Sequence, residues 1–200
     1  FYTLKKNILF FPVILLINAC SSLPEIDSQL QSRQWINHQV LVSDLRSWNI
    51  KGRAAIQNKY NSGTFVLHWN QHNTDFELRF ISSFRQGTYL LKGSETEVTM
   101  HTPKMEVLTA ITPEKLIRDE LGWDVNLAGL KYWIRGIPEP NSKYSQLLLD
   151  EKGRLQDMKQ SGFTISILRY TDKKNISLPE KLFIKSKDIE LRLVIQNWEI

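Results

Sequence analysis

The sequence has almost no cysteine, because Cys20 is the only one among 200 residues. A disulfide within the chain is therefore excluded, and so is a zinc cluster built on several thiolates. The four histidines include no His-x-x-x-His pair on a predicted helix, since His68 and His72 have that spacing but lie near the end of a predicted strand. We expect no metal site.

Sequence signatures of catalysis are also missing. There is no Gly-x-Ser-x-Gly nucleophile elbow and no phosphate-binding loop. Asp119 and Glu120 stand beside Arg118, an arrangement typical of a solvated helix face. Carboxylates that are distant in sequence could still meet in space, as they do in glycosidases. We expect a protein that is not an enzyme and needs no cofactor.

Charge of one sign is not concentrated anywhere in the chain. The 26 basic and 21 acidic residues are interspersed, and the Lys/Arg clusters that follow the phosphates of a nucleic acid are missing. We therefore expect no nucleic-acid partner. Only one long apolar run is present, from Ile8 to Ile17, and it is shorter than the about 20 residues of a membrane-spanning helix.

The N-terminal segment is typical of a bacterial lipoprotein signal. Lys5 and Lys6 precede the apolar run, which leads into Ile17-Asn18-Ala19-Cys20. We predict a signal peptide over residues 1–19 and lipidation at Cys20. The alternative is an ordinary secretion signal with an incidental cysteine.

The rest of the chain fits a tether and one domain. Residues 20–27 are the predicted lipidated tether, and residues 28–200 are long enough for one domain with one core. Without Lys5 and Lys6, 24 basic residues remain against 21 acidic ones, a net charge of +3. That value alone selects no class of partner.

Hydrophobic periodicity predicts one helix followed by many strands. Helical spacing of apolar residues favours an amphipathic helix from Ser28 to Ser47. The apolar positions that support this helix are Leu30, Val40, Leu41 and Leu45, together with Ile26 before it and Trp48 after it. Alternation with period two then predicts eleven strands. These are Ile50–Ile56, Thr64–Trp69, Asp75–Phe80, Gly87–Lys92, Glu97–His101, Met105–Leu108, Tyr144–Asp150, Arg154–Gln160, Phe163–Tyr170, Lys181–Ser186 and Ile189–Trp198.

Two short helices are predicted in the middle of the strand series. The first runs from Thr112, as N-cap, to Leu121, and Pro113 takes its first helical position. The second runs from Asn126 to Arg135 and ends at Gly136. The predicted class is mainly β with helices. An antiparallel sheet of this many strands must close, split or wrap around something, and periodicity leaves open whether its interior is filled or hollow.

Several segments in fixed order resemble the LolB family of outer-membrane lipoprotein receptors, and the resemblance covers essentially the whole mature chain. The segments are the lipobox ending at Cys20, the helix containing Trp35, Trp48-x-x-x-Gly52-Arg53, Trp69 at the end of the second strand, Trp133-Ile134-Arg135-Gly136-Ile137-Pro138, and Asn197-Trp198.

The resemblance implies an unclosed antiparallel β-barrel of about eleven strands, with a helical lid over a hydrophobic cavity. It also implies a receptor that accepts lipoproteins from the periplasmic carrier LolA and inserts their acyl chains into the outer membrane. The implied partners are LolA, acylated lipoprotein cargo and outer-membrane lipids. We expect a monomer, anchored by lipid in the outer membrane and facing the periplasm.

Site residues follow partly from alternation and partly from the resemblance. Candidates for the cavity wall are Phe65, Leu67, Trp69, Phe76, Leu78 and Phe80, and candidates for the lid are Leu116, Ile117, Leu130 and Ile134. Their alternative role is an ordinary filled core. Phe84, within Ser83-Phe84-Arg85, stands where the family carries an apolar loop residue that promotes membrane insertion, but the family's Pro-Leu-Gly-like context is missing here.

Three other functions stay open from the sequence. The protein could be a lipoprotein that binds a free small apolar ligand, such as a lipid or a quinone. It could be a periplasmic enzyme with carboxylates assembled in space. It could also be a structural lipoprotein with a filled core, for which the distinguishing sign would be the absence of a cavity large enough for an acyl chain.

Overall fold

The computed structural model describes residues 28–82, 87–94 and 96–200. It contains one large sheet and three helices. The elements in chain order are α1 (Ser28–Ser43), β1 (Ser47–Asn58), β2 (Ser62–His72), β3 (Asp75–Ser82), β4 (Thr88–Gly93), β5 (Val98–His101), β6 (Val107–Ala110), α2 (Pro113–Leu121), α3 (Leu127–Trp133), β7 (Tyr144–Leu149), β8 (Leu155–Gln160), β9 (Phe163–Lys173), β10 (Ile176–Lys185) and β11 (Ile189–Glu199).

The eleven strands form a single antiparallel sheet that does not close. Their spatial order is β6-β5-β4-β3-β2-β1-β11-β10-β9-β8-β7, so β6 and β7 are its two edges. The chain segment between these edge strands contains α2 and α3. The predicted class, an unclosed antiparallel sheet with helices, is confirmed. Strands that alternate buried and exposed residues have one apolar face, which the sheet wraps inward.

The strand registers define two ends of the sheet. At the upper end, Asn58 of β1 pairs with Ile189 of β11. At the lower end, Ser47 of β1 pairs with His72 of β2. Turns between successive antiparallel strands lie alternately at the two ends. The β1–β2 turn therefore lies at the upper end, and the β2–β3, β7–β8 and β9–β10 turns lie at the lower end.

Helix α1 crosses the lower end of the sheet. Near its start, the Gln31 amide donates to the carbonyl of Asp150 in the β7–β8 turn, at 2.9 Å. Gly153 in the same turn allows this close approach, since a Cβ there would lie 2.5 Å from Cβ of Gln34. Just after the helix, the Arg46 carbonyl accepts from the backbone N–H of Asn73 in the β2–β3 turn, at 2.9 Å. The helix therefore spans the opening between these two turns.

The sequence prediction for α1 was wrong about its end and about its buried face. The helix ends at Ser43 rather than Ser47, and Trp48 belongs to β1. Leu30, Val40 and Leu41 lie on the surface. The buried side chains are instead Trp35, His38 and Val42. Both faces carry apolar residues, so helical spacing could not indicate which face meets the sheet.

The ends of α2 and α3 follow partly from local sequence. Pro113 begins α2 and Thr112 is its N-cap, as predicted, although the Thr112 side chain makes no capping hydrogen bond. Gly122 ends α2 in the left-handed conformation, with φ of 71°. Helix α3 is shorter than predicted and begins after Asn126, whose side chain accepts from the Gly129 N–H at 2.8 Å.

Strand β10 begins at Ile176, before the predicted start at Lys181. Pro179 within it lacks a backbone N–H, which normally argues against a strand interior. The sheet accommodates this residue because the register with β9 shifts between Pro179 and Lys181. The Pro179 carbonyl then accepts from the Trp198 indole N–H at 2.8 Å. Other strand boundaries differ from the prediction by smaller amounts.

Three tryptophans fill the lower half of the sheet. The Trp48 ring lies 5.2 Å from that of Trp69 and 5.7 Å from that of Trp198, measured between centroids. The backbones of β1 and β11 approach closely beside them, because a Cβ on Gly52 would lie 2.3 Å from the Val194 carbonyl oxygen. In the described part of the chain, no helix is both long and apolar enough to cross a membrane.

Candidate functional site: an apolar cavity beneath the helices

An apolar cavity lies in the upper half of the sheet, between its inner face and the α2–α3 segment. Strands β1, β2, β3 and β11 form its wall, and α2, α3 and the connection between them form its cover. Its lining consists of Ala54, Ile56, Phe65, Leu67, Trp69, Leu78, Phe80, Ile117, Trp123, Val125, Leu127, Leu130, Leu191 and Leu193. All of these side chains are hydrophobic, so the cavity favours a hydrocarbon ligand over a polar one.

The volume of this cavity is about 50 Å³. A cavity needs about 10–15 Å³ of such space for each water molecule, so this one has room for only a few waters. A long acyl chain does not fit into this space without movement of the surrounding side chains. Side chains therefore nearly fill the space beneath the cover.

Seven of the ten residues proposed from the sequence line this cavity. They are Phe65, Leu67, Trp69, Leu78, Phe80, Ile117 and Leu130. Phe76 has the same inward alternation as Leu78, but it lies at the lower end of β3 and borders a separate, polar groove of about 650 Å³. Leu116 and Ile134 are buried elsewhere and are not part of the lining.

Seven other lining residues were not proposed from the sequence. Ala54 and Ile56 of β1 and Leu191 and Leu193 of β11 follow the alternation of their strands, which could have identified them. Trp123, Val125 and Leu127 come from the connection after α2 and the start of α3. No periodic signal marks a connection of this kind.

The α2 side of the cover is held to the upper end of the sheet by few polar contacts. The Asn58 amide donates to the Gly122 carbonyl at 2.8 Å, and the Asn61 amide donates to the Leu121 carbonyl at 3.3 Å. Below them, the Trp123 ring packs edge to face against Phe65, with centroids 5.0 Å apart. Apolar packing and two hydrogen bonds at the protein surface therefore fasten this side.

Glu114 joins the two helices of the cover into one unit. Its Oε1 atom accepts from the backbone N–H groups of Leu127 and Ala128, at 3.0 and 3.2 Å. These groups lie at the start of α3, where no intrahelical partner exists and where a negative charge is favourable. We therefore expect α2 and α3 to move together at this junction.

The other end of α3 is fastened by a buried glutamine, Gln160 of β8. Its Oε1 atom accepts from the Trp133 indole N–H at 2.8 Å and from the Glu139 N–H at 2.9 Å. Its amide donates to the carbonyls of Glu139 and Ser142, both at 2.8 Å. All four hydrogen-bonding positions of this side chain are satisfied, so this side of the cover is fixed more firmly than the α2 side.

A charged arginine fixes the end of α1 against α3. Arg135 is only 4% exposed, and burial lowers the pKa of its guanidinium below the usual value. It donates to the carbonyls of Val42 and Leu45, at 3.2 and 3.1 Å, and to that of Lys131 at 3.0 Å. The Val42 carbonyl also accepts from the Leu45 N–H at 3.2 Å, so Arg135 adds a charged donor at this helix terminus.

A buried histidine lies between α1 and the sheet. Burial lowers the pKa of His38 to about 4, and the nearby Arg154 guanidinium adds to this effect while Asp150 opposes it. Arg154 pairs with Asp150 at 2.6 Å and lies over the Tyr170 ring, 4.3 Å from its centroid. None of these four residues lines the apolar cavity. The group serves the docking of α1.

Two predicted functional residues, Cys20 and Phe84, lie outside the described residues. The residues that flank the Phe84 segment, Ser82 and Gly87, are described, and the Ser82 N–H donates to the Gly87 carbonyl at 3.0 Å at the upper end of the sheet. Across residues 28–82, 87–94 and 96–200, no three His, Cys, Asp or Glu side chains are grouped so that they could hold a metal ion.

An incompletely closed sheet with an apolar cavity under a pair of helices defines a class of protein whose interior suits hydrocarbon. The family model described as "Outer membrane lipoprotein LolB" matches residues 46–198, and the chain belongs to this family. An outer-membrane lipoprotein LolB from Nitrosococcus oceani is 32% identical over 188 residues, which cover 94% of each chain. One from Pseudomonas aeruginosa is 31% identical and covers 93% of this chain and 92% of its own.

Solved structures with the same fold are much more distant in sequence. A LolA superfamily protein from Nitrosomonas europaea has a TM-score of 0.52 at 6% identity, covering 83% of this chain and 93% of its own. A DUF1329 family protein from Desulfovibrio piger has a TM-score of 0.53 at 10% identity, covering 84% and 92%. The predicted family, and with it the lipid-anchored outer-membrane location, is confirmed. The protein has a role in the localisation of lipoproteins to the outer membrane.

Proposed function

We propose that this protein is the outer-membrane receptor that accepts lipoproteins from the periplasmic carrier LolA and inserts their acyl chains into the outer membrane. The observation that carries the proposal is the entirely apolar cavity under a helical cover in a chain of the LolB family. The receptor acts as a monomer, and no bond is made or broken in the transfer, so it needs no cofactor.

The physical task requires an apolar container. Each CH₂ group of an acyl chain that is moved from water into an apolar site contributes about 0.8 kcal/mol, so a bare lipoprotein is held back from crossing an aqueous space. Transfer proceeds without nucleotide when each successive host binds the chains more favourably than the one before it. The final host is the membrane itself.

The small volume of the cavity means that cargo must displace part of its cover. The α2 side is the part held by the two surface hydrogen bonds from Asn58 and Asn61, whereas the far end of α3 is held by Gln160. We therefore infer that acyl chains enter at the upper end, as Trp123 and the connection beside it move away from Phe65. Leu67, Leu78 and Phe80 then form the wall against which the chains pack.

Two further roles belong to residues outside the described part of the chain. Cys20 carries the lipid that holds the receptor in the outer membrane. Phe84 is the apolar tip that enters the membrane during delivery, a role supported by its flanking residues Ser82 and Gly87, which lie at the same end of the sheet as the cavity.

The test is a transfer assay with a photoreactive residue. The domain lacking Cys20 is mixed with LolA loaded with a triacylated lipoprotein, without nucleotide, and benzoylphenylalanine replaces Phe80, whose side chain lines the cavity. Ile81, the next residue on β3, is the matched control because it points to the opposite face. We expect cargo to move onto the domain and to cross-link at position 80 but not at position 81.

The second candidate is a structural lipoprotein with a filled core, which the cavity volume of about 50 Å³ favours. In that case cargo stays on a LolA preparation that a known receptor can unload, and position 80 cross-links no more than position 81. A free apolar ligand is indicated if position 80 cross-links to a co-purified lipid while cargo stays on LolA.

A further inference from the structure

The outer face of α1 carries exposed aliphatic side chains, with the polar Asn37 among them, and packs against no described part of the protein. Ile36 and Val40 are each 58% exposed, and Leu41 is 52% exposed. Ile36 and Val40 are four residues apart, and Arg33 precedes Ile36 by three, so these side chains lie next to one another on the helix. The face that packs inward carries different residues, Trp35 and Val42 among them.

The charge of this outer face suits a lipid surface. Arg33 is the only side chain among the sixteen residues of α1 that is charged at neutral pH, and the helix contains no acidic residue. Asp44 follows the helix directly, and Arg46 lies two residues further on. An exposed basic residue beside exposed aliphatic side chains, in a helix without acidic residues, favours contact with a membrane that contains anionic lipids.

The position of α1 in the chain places it beside the membrane. Seven residues separate Cys20 from Ser28, the first residue of the helix. The helix covers the lower end of the sheet, and its inward side chains complete the core there. Its outer face is therefore both the surface next to the lipid anchor and the surface opposite the cavity end.

We propose that the outer face of α1, formed by Arg33, Ile36, Val40 and Leu41, rests on the periplasmic leaflet of the outer membrane in the anchored receptor that holds no cargo. In this orientation the upper end of the sheet, with the cavity and its cover, points into the periplasm, where a loaded carrier arrives. The inference rests on the proposed lipidation of Cys20 but not on the acceptance of cargo.

The experiment uses the full lipidated chain in vesicles of phosphatidylethanolamine and phosphatidylglycerol. Lipidation consumes the thiol of Cys20, so a second cysteine can be labelled selectively with a polarity-sensitive fluorophore. The labelled variants are Ile36→Cys and Val40→Cys, and the matched control is Leu168→Cys, an aliphatic residue of β9 with 61% exposure. A Tm equal to that of the parent protein verifies that each variant is folded.

We expect a severalfold rise and a blue shift of emission at positions 36 and 40 on insertion into vesicles, and no change at position 168. Equal signals at all three positions in the anchored protein would overturn the inference and leave the proposed transfer function untouched. A rise that needs no vesicles but grows with protein concentration would also overturn it, because it would assign the face to a second copy of the chain. Failure of cargo transfer with positive signals at 36 and 40 would sink the proposed function alone.

Discussion

Replacing Gln160 by leucine should destabilise the protein far more than its size suggests. The side chain is 2% exposed and makes four hydrogen bonds, to the Trp133 indole, to both backbone groups of Glu139 and to the Ser142 carbonyl. Leucine has a similar volume but can make none of them. The change leaves two donors and two carbonyls without this partner.

The expected magnitude follows from the count of bonds. A typical hydrogen bond contributes about 1 kcal/mol net, and a buried group left without a partner costs about 1–3 kcal/mol. Some of the stranded groups will reach water near the surface turn at Ser142, so we expect a loss of about 3–5 kcal/mol rather than the sum of the maxima. For a chain of this length that corresponds to a fall in Tm of roughly 10 °C, at about 2–4 °C per kcal/mol.

The assay is urea unfolding of the domain lacking Cys20, followed by tryptophan fluorescence. The matched control is Gln57→Leu, since Gln57 is exposed and makes a single hydrogen bond to Glu190, at 3.1 Å. We expect that control to stay within about 0.5 kcal/mol of the parent. A loss below about 1 kcal/mol for Gln160→Leu would show that the four bonds do not fasten α3, and the inferred difference between the two sides of the cover would fail with it.

Four further predictions test other parts of the molecule. Because the pKa of His38 in the folded protein lies below its unfolded value, the His38 contribution to the free energy of unfolding should be fully present above about pH 6.5 and should fall by roughly 3 kcal/mol as the pH drops to about 4. In urea titrations at pH 7 and pH 5, His38→Phe should reduce this pH dependence. The same pH dependence in variant and parent would contradict the prediction. Arg135→Met should lower the free energy of unfolding by about 2–3 kcal/mol, because the carbonyls of Val42 and Leu45 lose a charged donor. A lower Tm checks this. Trp123→Ala should lower the free energy of unfolding by about 3–5 kcal/mol yet strengthen the binding of a fluorescent fatty-acid analogue. Unchanged binding would show that Trp123 does not lie on the entry route. Phe84→Glu should leave folding and cargo acceptance unchanged while impairing delivery to vesicles, and equal delivery by variant and parent would refute the role of Phe84.

The strand series was predictable because its signal is repeated. Residues such as Phe65, Leu67 and Trp69 alternate with polar neighbours, and each strand carries the same period, so the wrapped sheet follows from the pattern. Family resemblance added the cover and the unclosed edges. The start of β10 escaped prediction because Pro179 contradicts strand propensity and is accommodated only by a register shift with β9.

The details of the site depended on distances that no pattern contains. Phe76 and Leu78 share one inward face, yet only Leu78 reaches the cavity, because the cavity does not extend to the lower end of β3, where Phe76 lies. Trp123 lies in a connection, where neither helical nor strand period applies. The packing face of α1 was mistaken because a helix with apolar residues on two sides gives two solutions, and contacts with the β7–β8 and β2–β3 turns select between them.

The separation of the anchored end from the cavity end has a mechanical consequence for delivery. Eight Cα steps from Cys20 to Ser28 reach at most about 29 Å, whereas the eleven residues of β2 extend over about 36 Å from one end of the sheet to the other. In the proposed delivery step, the tether is therefore too short for the receptor to turn upside down above its lipid anchor, and the receptor has to tilt sideways to bring the cavity end to the bilayer. The number of residues between the lipid and α1 therefore limits how the receptor can tilt, and we expect the rate of unloading to depend on the length of this tether.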